Sequence, residues 1–128
     1  MIEFTLYGRI PSKKNSRTII VRGKRPFSVP SSNYKKWHKK ASAYIHIFKY
    51  KHSFKPEEIM YEPACDVTLV FFMPDNRKTD LTNKAESVMD LLVDTRIIID
   101  DCWQIVNSLS LVAAGIDKTN PRCEVLIK

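Results

Sequence analysis

From Ile2 to Arg9 the chain alternates, with Ile2, Phe4 and Leu6 on one side, the period-two signature of a half-buried strand. A different period begins at Tyr34. Tyr34, Trp37, Ala41, Tyr44, Ile45 and Phe48 recur at spacings of three and four, so the segment to about Phe48 predicts an amphipathic helix, with N-cap chemistry supplied by Ser31-Ser32-Asn33. Cys65 to Met73 predicts another strand, whose alternation gives way to a continuous apolar end, as in a central strand covered on both faces. Pro74 stops it. A second helix is predicted from about Leu81 to Val93, with Leu81, Ala85, Val88, Met89 and Leu92 on one face and Asn83, Glu86, Asp90 and Asp94 opposite. After the short apolar run Ile97–Ile99, Ile105–Ala113 and Arg122–Ile127 read as strands joined by a hairpin-like loop over Gly115–Pro121. The order β-α-β-α-β-β predicts an α+β fold: one domain over residues 1–128, with two main helices packed on a small mixed β-sheet.

Composition changes this picture in one place. Ile10 to Pro30 holds three prolines, one glycine and six basic residues, with Arg9 at its edge, and reads as a long basic loop or ribbon around a short Thr18–Val21 apolar run. The net charge of +7 is unevenly spread: residues 1–64 carry 14 Lys and Arg against 4 acids, and residues 65–128 carry 7 against 10. One surface for an anionic partner and another for something that binds carboxylates is the simplest reading. Lys35, Lys36, Lys39 and Lys40 are either a solvated helix face or a phosphate-tracking one. Three widely spaced cysteines in no Cys-x-x-Cys arrangement suggest reduced, buried thiols rather than disulfides or zinc. His38 and His46 lack i, i+4 ligand spacing, and no histidine has an acidic neighbour nearby in sequence. There is no apolar run of the ~20 residues a membrane span requires and no secretory-signal pattern, so a cytoplasmic protein without membrane or organic cofactor is expected.

Acids crowd where the basic chain turns acidic, next to Arg77 and Lys78. Asp80 falls at a helix start, Glu86 on the polar face of that helix, and Asp100-Asp101 at the end of a later segment that can return alongside it. Each has an ordinary explanation, as a helix cap, a solvated pair or a turn. Together they form an oxygen-ligand set of the kind that holds Mg²⁺ against a phosphodiester.

Four blocks of residues carry a family resemblance over nearly the whole chain. These are Pro11-Ser12-Lys13-Lys14-Asn15, Phe72-Met73-Pro74-Asp75, the Arg-Lys-Thr-Asp-Leu-Thr-Asn run at 77–83, and Ile99-Asp100-Asp101-x-x-Gln104-Ile105-Val106. The chain resembles the RusA family of Holliday junction resolvases. That resemblance implies a Mg²⁺-dependent endodeoxyribonuclease, a homodimer that binds four-way DNA junctions and makes paired symmetric cuts. By position it implies metal-binding carboxylates at Asp80, Asp100 and Asp101, with Asp101 the better match for the catalytic acid. The chain departs from the pattern twice: Thr82 stands where the family has a second aspartate, and Glu86 where it has a catalytic lysine. Positions 82 and 86 are i, i+4 neighbours, so Glu86 is expected to fill the metal position that Thr82 vacates, with Lys84, Lys78 or Arg77 as the cation. Lys13, Lys14, Asn15, Arg17, Arg77 and Lys78 are the expected DNA contacts. Trp103 reads as core beside the aspartate pair, with a wedge at the junction centre as the alternative for it and for Phe27. The rival functions are a less selective branched-DNA nuclease and a non-catalytic DNA-binding accessory protein.

Overall fold

In the computed structural model, which describes residues 1–12, 17–23, 25–30 and 32–128, the first strand, β1 (Ile2–Tyr7), buries Ile2, Phe4 and Leu6 as its alternation dictates. The basic stretch that follows is more ordered than a loop. β2 (Arg17–Arg22) and β3 (Arg25–Pro30) pair antiparallel into a separate two-stranded sheet, with Gly23 turning the chain at φ 62°. Thr18, Ile19, Ile20 and Val21 supply the β-branched run that favours a strand, a signal that the density of cations around it obscures.

The first helix, α1 (Ser32–Lys51), buries Tyr34 and Ile45 and packs Trp37, Ala41 and Phe48 against the core, while Tyr44 turns outward. It runs about one turn beyond Phe48, and that last turn carries a buried lysine. Lys49 is fully enclosed, and its Nζ donates to the carbonyls of Pro56, Glu58, Thr95 and Arg96 at 2.9, 2.5, 3.0 and 3.4 Å. Burial pushes its pKa below the usual lysine value, with Glu58 opposing and Arg96 reinforcing the shift. One ammonium thus joins three segments of backbone.

β4 (Cys65–Met73) lies inside a four-stranded mixed sheet of order β1-β6-β4-β5, formed with β5 (Val106–Ile116) and β6 (Arg122–Ile127). β4 runs parallel to β5 and antiparallel to β6. Only one face of β4 is fully covered: Cys65, Val67, Leu69 and Phe71 are buried, whereas Asp66 is exposed and Thr68, Val70 and Phe72 are partly so. The expectation of a doubly covered strand fails because both helices draw on the same sheet face; Ile45 and the apolar side of α2 (Leu81–Asp94) join that cluster. The Gly115–Pro121 connection is not a hairpin either, since β6 is separated from β5 by β4. The chain crosses the end of β4 there, where Asp117 N–H donates to Met73 O at 2.8 Å and Arg122 donates to Asp117 at 2.9 Å while lying 3.7 Å from the Phe72 ring centre. Among the described residues, no helix is long and apolar enough to cross a membrane.

Candidate active site

α2 carries the chemistry, and its burial pattern sorts the side chains by direction. Ala85, Val88, Met89 and Leu92 face the core, as the periodicity predicts; Leu91, outside that pattern, is buried with them, and Leu81 is only partly buried. Glu86, Asp90 and Asp94, spaced by four, run along the side that faces the start of α1. Burial, and then the charges of Asp90, Asp94 and Glu86, push the Tyr34 hydroxyl up to about 12. His38, one turn further along α1, pairs with Asp94 at 2.9 Å between Nε2 and Oδ2. Sequence offered no acidic neighbour for this histidine because the contact spans 56 positions.

The C-terminal end of α2 determines where the aspartate pair goes. Thr95 Oγ donates to Leu91 O at 2.6 Å, Arg96 takes the left-handed conformation at φ 57°, and Ile97 and Ile98 then drop into the core with no exposed surface. Backbone bonds from Met60 and Tyr61 to the carbonyls of Arg96 and Ile97, at 3.0 and 2.9 Å, pin this reversal. The chain consequently returns along α2. Asp101 reaches a cavity of about 360 Å³ that Thr82, Asn83 and Glu86 also line, with Met89, Leu109 and Leu111 as its apolar wall. Glu86 and Asp101, fifteen positions apart in the sequence, share one recess.

Electrostatics within the recess favours a cation. The Asp101 carboxyl is pushed above the usual range by burial, by its hydrogen bond with Asp100, by the charge of Asp100 and, more weakly, by Asp90. Asp100 Oδ1 in turn accepts from the Asp101 amide at 2.7 Å. Asp80 occupies the N-cap position of α2 but makes no capping hydrogen bond with its side chain; its Oδ2 instead accepts from Asn83 Nδ2 at 3.2 Å. Asn83 therefore links Asp80 to the recess. The hard oxygen donors of Glu86 and Asp101 are of the kind that suits Mg²⁺, which takes only one or two protein carboxylates and completes its shell with water and phosphate. Among the described residues, no group of three or more His, Cys, Asp or Glu side chains is arranged to hold a metal ion, so Asp80, Glu86 and Asp101 do not form a closed three-carboxylate set.

The predicted cations lie elsewhere. Lys84 is buried, its Nζ donating to Ile10 O at 2.5 Å, and it lines a second cavity, of about 470 Å³, together with Arg9, Arg77 and Lys78. The structure thus separates Lys84 from the recess of Glu86 and Asp101, to which it is bound only through the first turns of α2. Ser87 reinforces the arrangement by donating to Pro11 O at 2.7 Å, which fixes the start of the basic stretch onto α2. Lys13, Lys14, Asn15 and the side chains of Arg17 and Phe27 lie outside the described residues. Trp103, expected in the core, is 80% exposed on the turn just after the aspartate pair, because the tight Cys102–Val106 turn holds that position away from the sheet.

The polar face expected from the sequence includes both Asp90 and Asp94 beside Glu86, with neither assigned to the site, and Tyr34 is expected there only as part of a core face. The i, i+4 spacing of the three acids was the available signal; that α1 packs over them is a tertiary fact.

No protein-family model matches the chain. It is 30% identical over 102 residues to the crossover junction endodeoxyribonuclease RusA of Aquifex aeolicus (strain VF5), a match covering 79% of this chain and 74% of that protein. With that much of both proteins aligned, and with the blocks around Asp80 and Asp101 brought to one region of the fold, the chain belongs to the RusA family.

Proposed function

We propose that the protein is a Mg²⁺-dependent, structure-specific DNA endonuclease that resolves four-way junctions by paired symmetric cleavage, acting as a homodimer so that two sites address two symmetry-related strands. The observation that carries this reading is the shared recess of Glu86 and Asp101. Thr82 lines the same recess, which supports the exchange of roles between positions 82 and 86: the glutamate, one methylene longer than the missing aspartate, reaches from the next turn. Of the acids Asp80, Glu86 and Asp101, the two that share the recess would hold the ion directly, with Asp80 tied to them through Asn83 and Asp100 shaping the turn that presents Asp101. Mg²⁺, when bound, supplies charge neutralisation at phosphorus and a more acidic water. The protein's own part is positional. Asn83 orients the Asp80 carboxylate, Thr82 offers a hydroxyl to a phosphate oxygen, and Arg77 and Lys78 attract the strand toward the recess.

The test incubates synthetic four-way junctions and matching linear duplexes with and without Mg²⁺. Junction-selective, metal-dependent paired nicking is expected from the unaltered protein, with Asp80→Asn, Glu86→Gln and Asp101→Asn all inactive yet still binding junctions. Full cleavage by Glu86→Gln beside two dead aspartate variants would remove Glu86 from the metal site. Salt-sensitive junction binding without cleavage under any divalent cation would instead make the protein an accessory DNA binder.

A further inference from the structure

The second cavity is not needed to hold the cation, and its composition is the reverse of the first. Four cationic side chains, Arg9, Arg77, Lys78 and Lys84, line it together with Ser12 and Trp37. Against them stands Asp75, which reaches Arg9 and Arg77 at 3.8 Å each and keeps both guanidinium groups at the cavity without neutralising the set. Two of its polar groups have unspent capacity. Ser12 Oγ is buried and has no hydrogen-bond partner among the described residues. Lys84 carries three N–H donors on Nζ and spends one on Ile10 O. A buried hydroxyl without a partner is rarely tolerated in a native structure unless something fills the place beside it.

We propose that this cavity seats a phosphate of the DNA strand other than the one that is cut, accepting hydrogen bonds from Ser12 Oγ and Lys84 Nζ and the charge of Arg9, Arg77 and Lys78. The proposal rests on the nuclease reading for the identity of the strand. The basic cavity and the acidic recess lie on different sides of the first turns of one helix, with Thr79 and Lys84 on one side and Thr82, Asn83 and Glu86 on the other. A helix with its side chains is ~10 Å across and a strand presents a phosphate every ~3.4 Å of rise, so the seated phosphate is about two or three nucleotides from the scissile one. Lys84 is then a positioning residue: it fixes the strand in register with the carboxylates and touches no reacting atom.

The experiment uses junctions carrying one uncharged methylphosphonate linkage at a time, at each position around the cut. In the unaltered protein, one position about two or three nucleotides from the cut is expected to weaken metal-free junction binding about tenfold and lower the salt slope by about one. It should raise KM for cleavage with little change in kcat. In Arg9→Gln, which alters a half-exposed side chain, and in Lys84→Met the same linkage should have no added effect. A second arm titrates inorganic phosphate into the Trp103→Phe protein and follows the emission of Trp37. If no position outside the cut responds, or if the variants leave the response undiminished, the proposal is wrong. Saturation by inorganic phosphate without any methylphosphonate response also overturns it, in favour of a free-phosphate site. A protein that cuts nothing but retains the position-specific binding effect keeps the seat and loses the nuclease reading.

Discussion

Replacing Lys49 by methionine keeps the apolar stem and removes only the ammonium, so the effect falls on the four carbonyls it serves. Thr95 is buried, and its carbonyl has no route to water once the ammonium is gone; an orphaned buried acceptor costs about 1–3 kcal/mol. The carbonyls of Pro56, Glu58 and Arg96 belong to exposed residues and regain water in part, so about 0.5 kcal/mol each is appropriate for them. Returning an ammonium to water recovers part of the loss, because the intact protein has already met that desolvation cost. The expected destabilisation is therefore about 3 kcal/mol, which for a chain of this size lowers Tm by about 10–15 °C. Thermal unfolding followed by far-UV circular dichroism, with a urea titration alongside, measures it directly. Because Lys49 clamps the reversal that leads to Asp101, the proposed Mg²⁺-dependent cleavage should also fall before global unfolding begins. A loss below about 1 kcal/mol would mean that the carbonyls find other donors, and the argument that this ammonium organises three segments would fail.

Three other outcomes follow from the same geometry. Trp103→Ala should change stability by less than about 0.5 kcal/mol in a urea titration, since the ring is 80% exposed; a loss of 2 kcal/mol or more would restore the core reading. At neutral pH a thiol reagent should label Cys102 alone in the native protein, because Cys65 and Cys123 are buried and burial, with Glu124, pushes the Cys123 thiol up to about 12; rapid native labelling of Cys123 would contradict this. Asp117 has its carboxyl held below the usual range chiefly by the hydrogen bond from Arg122, so its contribution to stability is present above its unfolded pKa and lost as pH falls through the lower folded value. Asp117→Asn should therefore flatten the acid limb of stability below the ordinary aspartate range, and an unchanged limb would count against the pairing.

The periodic elements were legible in the sequence because their signals are local. Cys65–Met73 forms the predicted strand, and α2 differs from its predicted span by one residue. Composition hid the hairpin, since the cations around Thr18–Val21 read as loop chemistry while the apolar run there favours strand. Lysine defeated the burial forecast twice: Lys49 and Lys84 occupy inward helix positions that a hydropathy pattern assigns to solvent, and both are retained by backbone carbonyls remote in sequence. Trp103 failed in the other direction, because a large aromatic is placed inside by default. For the site, the blocks around Asp80 and Asp101 were visible as residue types and spacing. That Glu86 joins Asp101 while Lys84 turns away depends on the helix's rotation against its neighbours, which no local pattern records.

The pairing of β1 with β6 joins the first and last strands of the four-stranded sheet, in the register Ile2↔Ile127 through Tyr7↔Arg122. Such a ladder has a large sequence separation, and its closure entropy must be overcome before any of its bonds form. During synthesis, then, β1 has to wait unpaired until β6 leaves the ribosome, and β4 waits with it for the same neighbour. We expect a chain truncated before Arg122 to lose cooperative unfolding altogether rather than to melt a few degrees earlier. A copy that still lacks β6 would on this account be unable to hold the acidic recess in shape, since the sheet beneath it cannot close until that strand is made.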